Sequence, residues 1–198
     1  MLELILFSLF SYAIGCITFA YYITKFFTGK NLKEIGSGNL GATNATRVLG
    51  KKGLIIIAIL DMSKGAFIVL LAQYFDFSWE QIFLFIIFVT IGHIFPVQLK
   101  FKGGKGVSTF GGAIIAVNPL VIIPFAVFLA FFYLIIKNLT IAGLCSIALI
   151  PLTIYYLDFS LICILENILI IAIIIFAHHT NIKLFIKSRK QIKNGVKT

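Results

Sequence analysis

Three short polar segments interrupt a very apolar sequence, and each carries residues that can handle a phosphate group or a proton. The first is GSGNLGATNATR, residues 36–47. Its glycines, Gly38 among them, let backbone amides turn toward a ligand and form a concavity that attracts anions. The guanidinium of Arg47 can hold two phosphate oxygens at once, so we predict phosphate binding here, with lipid-headgroup anchoring as the alternative. The side chains expected to contribute are Ser37, Asn39, Thr43 and Asn44.

The second polar segment is GHIFPVQLKFKGGKGVS, residues 92–108. Two lysines bracket two glycines in it: Lys102, Gly103, Gly104 and Lys105. A short helix at 107–117, with Ser108 in its first turn as a further expected contact, would direct the positive end of its dipole to the same place. We predict a second phosphate cradle. A turn whose lysines only fix the topology is the alternative. Because Gly106 stands where a Walker A loop needs Ser or Thr, nucleotide binding is not predicted.

The third polar segment is HHTNIK, residues 178–183, at the end of the last apolar run. Histidine can exchange a proton near neutral pH, and the amide of Asn181 can orient a hydroxyl or an imidazole. Adjacent residues on a helix point about 100° apart, so at most one of His178 and His179 is expected to face a common site. Polar capping at the membrane interface is the alternative role.

The elements that position these segments must be membrane helices. Of 198 residues, 60% are hydrophobic and 12% are charged, and the mean hydropathy is +1.06, which is far from the composition of a soluble domain. We predict one membrane domain, residues 1–198. The net charge of +10 does not indicate nucleic-acid binding, because no soluble module is present to carry it. No Cys or His stands at metal-ligand spacing, so no metal site is predicted.

The number of spans follows from the distribution of charge. The apolar runs cover residues 4–24, 53–75, 82–99, 106–136, 139–157 and 160–177. Dividing the longest run at Asn118–Pro119 gives seven spans, and every Lys and Arg of the loops then falls on one side. By the positive-inside rule this side is cytoplasmic, which places the N-terminus outside and the C-terminus in the cytoplasm. The fold class is thus all-α with seven transmembrane helices, of which the span at about 107–117 is short.

Four residues of the types Asp, Glu, Lys, Arg and His lie inside these spans, namely Asp61, Lys64, His93 and Glu166. Asp61 and Lys64 are three residues apart on one face of the second span, so we expect them to neutralise each other. His93 lies in the third span between Gly92 and Pro96, and we expect a structural role for it.

The order and spacing of these motifs resemble the bacterial membrane glycerol-3-phosphate acyltransferases that take their acyl group from acyl phosphate. The resemblance runs through GSGNLGATNATR, then DMSKG at 61–65, then GHIFP at 92–96 with FKGGKGV, and finally HHTNI at 178–182. It covers nearly the whole chain. It implies transfer of a fatty acyl group from acyl phosphate to the sn-1 hydroxyl of glycerol 3-phosphate, with release of lysophosphatidic acid and inorganic phosphate.

The resemblance also implies the site and its surroundings. His178, Asn181, Ser37 and Lys105 correspond to the catalytic set, and Gly38, Thr43, Arg47, Gly103 and Gly104 to the substrate-binding set. Gly143 stands where the family often has serine, so that hydroxyl is either missing or supplied by Ser146. The expected partners are acyl phosphate, glycerol 3-phosphate and membrane lipid, with no cofactor and no obligate protein partner. The expected location is the bacterial cytoplasmic membrane, with the site facing the cytoplasm. The alternative function is a transporter of a phosphate ester or another small anion.

Overall fold

The computed structural model describes residues 1–193, which form helices and no strand. The helices are α1 (Leu2–Gly15), α2 (Phe19–Thr28), α3 (Ala42–Tyr74), α4 (Trp79–Ile94), α5 (Val107–Val117), α6 (Ile122–Ile136), α7 (Leu139–Ile147), α8 (Ile150–Tyr156), α9 (Leu161–Ala177) and α10 (His179–Lys193). Short 3-10 turns cover Leu32–Glu34, Val97–Leu99 and Pro119–Val121.

Five stretches in this part of the chain are long and apolar enough to cross a membrane. They are Leu2–Thr28, Ala42–Tyr74, Trp79–Leu99, Pro119–Ile136 and Leu139–Tyr156. A sixth span results if α9 and α10 count as one stretch, although they meet at an angle of 60°. The remaining apolar helix, α5, has only 11 residues, about half of what a bilayer requires. The predicted membrane-embedded helical fold is therefore present, whereas seven spans and their orientation stay a prediction.

The third helix begins earlier than the sequence pattern suggests. It starts at Ala42, so the second half of the first polar segment forms helical turns instead of a loop. Gly41 is the last residue in extended conformation before α3, and Ala45 in the first turns of α3 is fully buried. Gly50, with φ of 65°, then bends the helix before the apolar part begins.

Close glycine contacts fix how the central helices pack. A Cβ atom on Gly65 of α3 would lie 2.0 Å from the carbonyl oxygen of Thr109 on α5, and one on Gly112 would lie 2.0 Å from that of Met62. Gly15 of α1 and Gly92 of α4 meet in the same way, since a Cβ on Gly92 would lie 2.2 Å from the Tyr12 carbonyl oxygen. Small residues permit such approach between membrane helices. The α3–α5 pair places the start of α5 beside the middle of α3, because Thr109 lies against Gly65.

Candidate functional site

The first and second polar segments are joined by hydrogen bonds. The amide of Leu40 donates to the carbonyl of Gly103 at 3.2 Å. The ammonium of Lys33 donates to the carbonyl of Leu99 at 3.1 Å. Two segments with 44 residues of sequence between them (48–91) therefore form one polar surface.

Asn44 shapes the first segment from within. Its buried side-chain NH₂ donates to the carbonyls of Ile35 at 2.8 Å and Leu32 at 3.3 Å. Its side-chain oxygen accepts the amide of Ser37 at 3.2 Å. Both ends of the Asn44 amide thus bond to the backbone of the segment, and its contact with substrate stays a prediction.

Arg47, in contrast, is an exposed cation on the first turns of α3. Its side chain lies against Gly36, whose added Cβ would be 2.5 Å from the Arg47 Cδ. Gly36 also has a positive φ of 56°, which strains any residue with a Cβ, and a larger side chain there would displace that of Arg47. Within residues 1–193 no carboxylate pairs with Arg47. Ser37 and Thr43 are exposed as well, and the Ser37 hydroxyl accepts the amide of Asn39 at 3.4 Å.

The glycine turn of the second segment differs from the prediction. The amide of Gly103 donates to the carbonyl of Ile94, and that of Gly104 to the carbonyl of His93, each at 3.0 Å. These two amides are therefore engaged within the protein and do not form an anion cradle. The glycines are required for another reason: a Cβ on Gly104 would lie 2.0 Å from the His93 Nε2.

Unused amides are found instead at the start of α5. Gly106 is its N-cap, has a φ of 83° and offers no side-chain cap. The first amides of a helix have no acceptor within the helix, and the helix dipole makes this end favourable for an anion. The half-buried Ser108 lies in this first turn. The amides at the start of α5, unlike those of Gly103 and Gly104, are therefore not used by a side-chain cap.

The second and third segments meet at Lys105 and Asn181. The ammonium of Lys105 donates a hydrogen bond to the side-chain oxygen of Asn181, on the first turn of α10. Partial burial lowers the pKa of Lys105. Lys102, three residues earlier on the same turn, is exposed.

His178 is buried in the break between α9 and α10. Its Nδ1 donates to the carbonyl of Ile174 at 2.8 Å, so neutral His178 keeps its acceptor lone pair at Nε2. Burial lowers the pKa of His178, and the charge of Lys105 lowers it further, while the bond to Ile174 acts in the opposite direction. His179 is exposed and its Nδ1 contacts the carbonyl of Phe176 at 2.9 Å, so only one histidine of the pair lies beside Lys105.

Comparison with known proteins identifies the family. Residues 5–188 match the family model described as glycerol-3-phosphate acyltransferase. The chain belongs to this family. It is 37% identical to "Glycerol-3-phosphate acyltransferase 1" of Bacillus anthracis over 169 aligned residues. The alignment covers 85% of this chain and 89% of the relative. It is 38% identical over 185 residues to the enzyme of Macrococcus caseolyticus (strain JCSC5402), covering 92% and 93% of the two chains.

Solved structures agree with this membership. The crystal structure of PlsY (YgiH), described as an integral membrane glycerol 3-phosphate acyltransferase in its glycerol 3-phosphate form, matches with a TM-score of 0.83 and 31% identity. It covers 99% of this chain and 94% of that chain. The lysophosphatidic acid form matches with a TM-score of 0.78 and 32% identity. The chain is therefore an acyltransferase with an integral membrane fold, and the transporter alternative has no support from these relatives.

The fold of this acyltransferase adds residues that the sequence motifs did not indicate. A pocket of about 250 Å³ lies beside Asn181, between the start of α7 and α10. Its lining residues are Asn138, Thr140, Ile141, Asn181, Leu184, Phe185 and Ser188. Asn138 is the N-cap of α7, and an Asn before an apolar helix is a sequence signal for a cap but not for a pocket.

Gly143 lies on the same helix, and a Cβ added there would meet no atom within 4 Å. Ser146 does not replace the serine that the family often has at position 143. Its hydroxyl is fully buried and donates to the carbonyl of Ala142 at 2.7 Å.

Proposed function

We propose that this acyltransferase transfers a fatty acyl group from acyl phosphate to the sn-1 hydroxyl of glycerol 3-phosphate. The products are lysophosphatidic acid and inorganic phosphate. Two solved structures of one relative, in glycerol 3-phosphate and lysophosphatidic acid forms, support the acceptor and the product. The observation that carries the proposal for this chain is the meeting of Lys105, Asn181 and His178 at one place beside the first polar segment.

Charge neutralisation is the main task of such a site. Two dianionic phosphates about 6 Å apart would repel each other by roughly 11 kcal/mol at an effective dielectric of 20, as an unscreened upper bound. A general base supplies about 100 to 10,000-fold in rate, or roughly 3–5 kcal/mol. Cations without acidic partners therefore contribute most to catalysis at such a site, because they offset the repulsion between the two phosphates. Arg47 and Lys105 are such cations in the described part of the chain.

The proposed chemistry needs no cofactor, because acyl phosphate is already an activated mixed anhydride. The acceptor hydroxyl oxygen attacks the acyl carbon, and the bond between that carbon and the phosphate oxygen breaks. The hydroxyl proton goes to His178 Nε2 or to the leaving phosphate, and Nε2 can accept it because the Nδ1–H of His178 is held by Ile174. Asn181 and Lys105 hold the leaving phosphate, and Ser37, Gly38, Thr43 and the amides of the α5 N-terminus supply further hydrogen bonds.

The proposal includes a location. The chain lies in the bacterial cytoplasmic membrane with seven spans, its N-terminus outside and the site facing the cytoplasm. The one-sided distribution of lysine and arginine supports this orientation. The acyl tail then stays among the helices while both polar head groups meet at the inner surface.

The reaction is tested with purified, detergent-solubilised protein supplied with acyl phosphate and glycerol 3-phosphate. We expect lysophosphatidic acid and free phosphate in equal amounts. An acyl thioester in place of acyl phosphate is the control donor and should give no product. Product from the thioester alone would contradict the proposed donor, and His178→Ala with unchanged turnover would remove His178 from the proton transfer.

A further inference from the structure

A buried group of three side chains lies directly behind the glycine turn that carries Lys105. The ammonium of Lys64 is 3.3 Å from the Asp61 carboxylate and 2.8 Å from the His93 Nδ1. The His93 Nδ1 is in turn 3.5 Å from the same carboxylate oxygen. We call Asp61, Lys64 and His93 the buried triad, since each is at most 5% exposed.

The partners of Lys64 fix the chemical state of His93. The ammonium has three protons, and it donates to the carbonyls of Gly15 at 2.9 Å and Ile17 at 2.8 Å as well as meeting His93. An ammonium only donates, so the His93 Nδ1 is the acceptor and the ring proton of neutral His93 is on Nε2. The ring is thereby held in one orientation, with Nε2 facing the glycine turn.

His93 contacts that turn with both its backbone and its ring. Its carbonyl accepts the amide of Gly104 at 3.0 Å, and its Nε2 occupies the space where a Cβ of Gly104 would be, 2.0 Å away. A Cβ on Gly103 would lie 2.2 Å from the His93 carbonyl oxygen. Lys105 follows directly, so the position of its backbone is set by this contact.

We propose that His93, oriented by Asp61 and Lys64, is a positioning residue that places Lys105 for contact with the substrate phosphate. The inference rests on the proposed function of Lys105. The ring does not touch the reacting groups in this role. It determines where the turn lies, and the turn determines where the ammonium of Lys105 meets Asn181 and the phosphate.

A double-mutant cycle tests this role. His93→Ala alone should lower kcat/KM by about 100-fold, the size of effect expected from a displacement of about 1 Å in a reacting site. In a Lys105→Ala background the same change should have little further effect, because the residue through which His93 acts is already gone. An equally large loss in both backgrounds would overturn the proposal, since it would mean that His93 acts independently of Lys105.

Two further variants keep the test informative if His93→Ala folds poorly. His93→Asn retains an acceptor for Lys64 but lacks the ring that meets Gly104, and it should show the same dependence on Lys105. Gly104→Ala introduces the Cβ that overlaps Nε2 and should also lower activity only while Lys105 is present. His179→Ala, which changes an exposed histidine, is the matched control and should leave kcat/KM within about 2-fold.

A measurement without catalysis separates this proposal from the proposed function. Lys105→Cys, in a Cys145→Ser background that leaves only the buried Cys16 and Cys163, is labelled with a thiol reagent. We expect His93→Asn to change the labelling rate of position 105 several-fold, while Lys51→Cys, at an exposed lysine, is labelled at the same rate with and without His93→Asn. An unchanged rate at position 105 would contradict the positioning role even if the wild type is active. Failure of the wild type to form lysophosphatidic acid would contradict the proposed function alone.

Discussion

The buried triad and the candidate site are two polar clusters with opposite electrostatics. In the triad the positive Lys64 lies beside the negative Asp61, and its ammonium protons are taken up by protein acceptors. In the site, Arg47 and Lys105 have no carboxylate partner within the described residues. One glycine turn separates the clusters, because His93 contacts Gly104 and Lys105 is the next residue.

This difference in charge compensation indicates that the triad and the site have different roles. A buried charge is tolerated when an opposite charge compensates it, and Asp61 and Lys64 compensate each other in the triad, although the Asp61 Oδ1 accepts no hydrogen bond within the described residues. A group of cations without acids is incomplete and favours an anion. Stability should therefore depend on the triad, and substrate binding and turnover on the site.

The largest expected effect is the loss of the buried ion pair. Asp61→Asn leaves the charge of Lys64 buried without compensation and should lower the free energy of unfolding by about 3–5 kcal/mol. Thermal or denaturant unfolding in detergent measures this change. Asp158→Asn, at an exposed aspartate, is the control and should change stability by less than about 0.5 kcal/mol. Equal stability of the two variants would mean that the triad does not hold the fold.

Lys105→Ala should have the next largest effect, and on turnover instead of stability. Loss of a charged donor to the leaving phosphate should reduce kcat by about 100 to 1,000-fold, or roughly 2.7–4 kcal/mol in the barrier. The unfolding temperature should change little, since Lys105 is only half-buried. Lys100→Ala, at an exposed lysine of the same connection, is the matched control. A similar kcat for both variants would remove Lys105 from the chemistry.

Arg47→Ala should act mainly on the acceptor. Removing a charge-assisted hydrogen-bond donor costs about 1.5–3 kcal/mol, so the KM for glycerol 3-phosphate should rise by roughly 10 to 150-fold. Arg47→Lys should recover only part of this, because an ammonium cannot form the bidentate contact. Lys51→Ala, at an exposed lysine on the same helix, tests simple surface charge. If Lys51→Ala raised the KM as much, general attraction of anions would explain the data better than a specific contact.

The smallest expected effect is a shift in pH dependence. His178 must be neutral to accept a proton, and its pKa lies below the ordinary value of 6.5 because of burial and the charge of Lys105. The neutral form therefore persists as the pH falls through 6.5, and kcat should decline only at lower pH. A pH profile of kcat measures this decline at low pH, and the decline should be absent in His178→Ala. A decline above 6.5 would contradict both the assignment and the electrostatic influence of Lys105.

The sequence determined the membrane class, the family and the pairing of Asp61 with Lys64. Hydropathy is a local property of each run, and two residues three positions apart on a helix must share a face. The motif order was specific enough to predict the family that the comparisons confirm. The short apolar segment at 107–117 also follows from the sequence, since Gly106 and Asn118–Pro119 delimit α5 on both sides.

Only the tertiary structure decided which polar groups are free and which are already bonded. Asn44 and the amides of Gly103 and Gly104 are good ligands by residue type, yet each bonds to backbone groups that the sequence pattern does not place nearby. The contact of His93 with Gly104 joins a helix to the turn that follows it, and that of Lys105 with Asn181 joins residues 76 positions apart. Hydrogen bonding is short-ranged and each donor is used once, so which donors remain for a substrate depends on the packed arrangement of the helices.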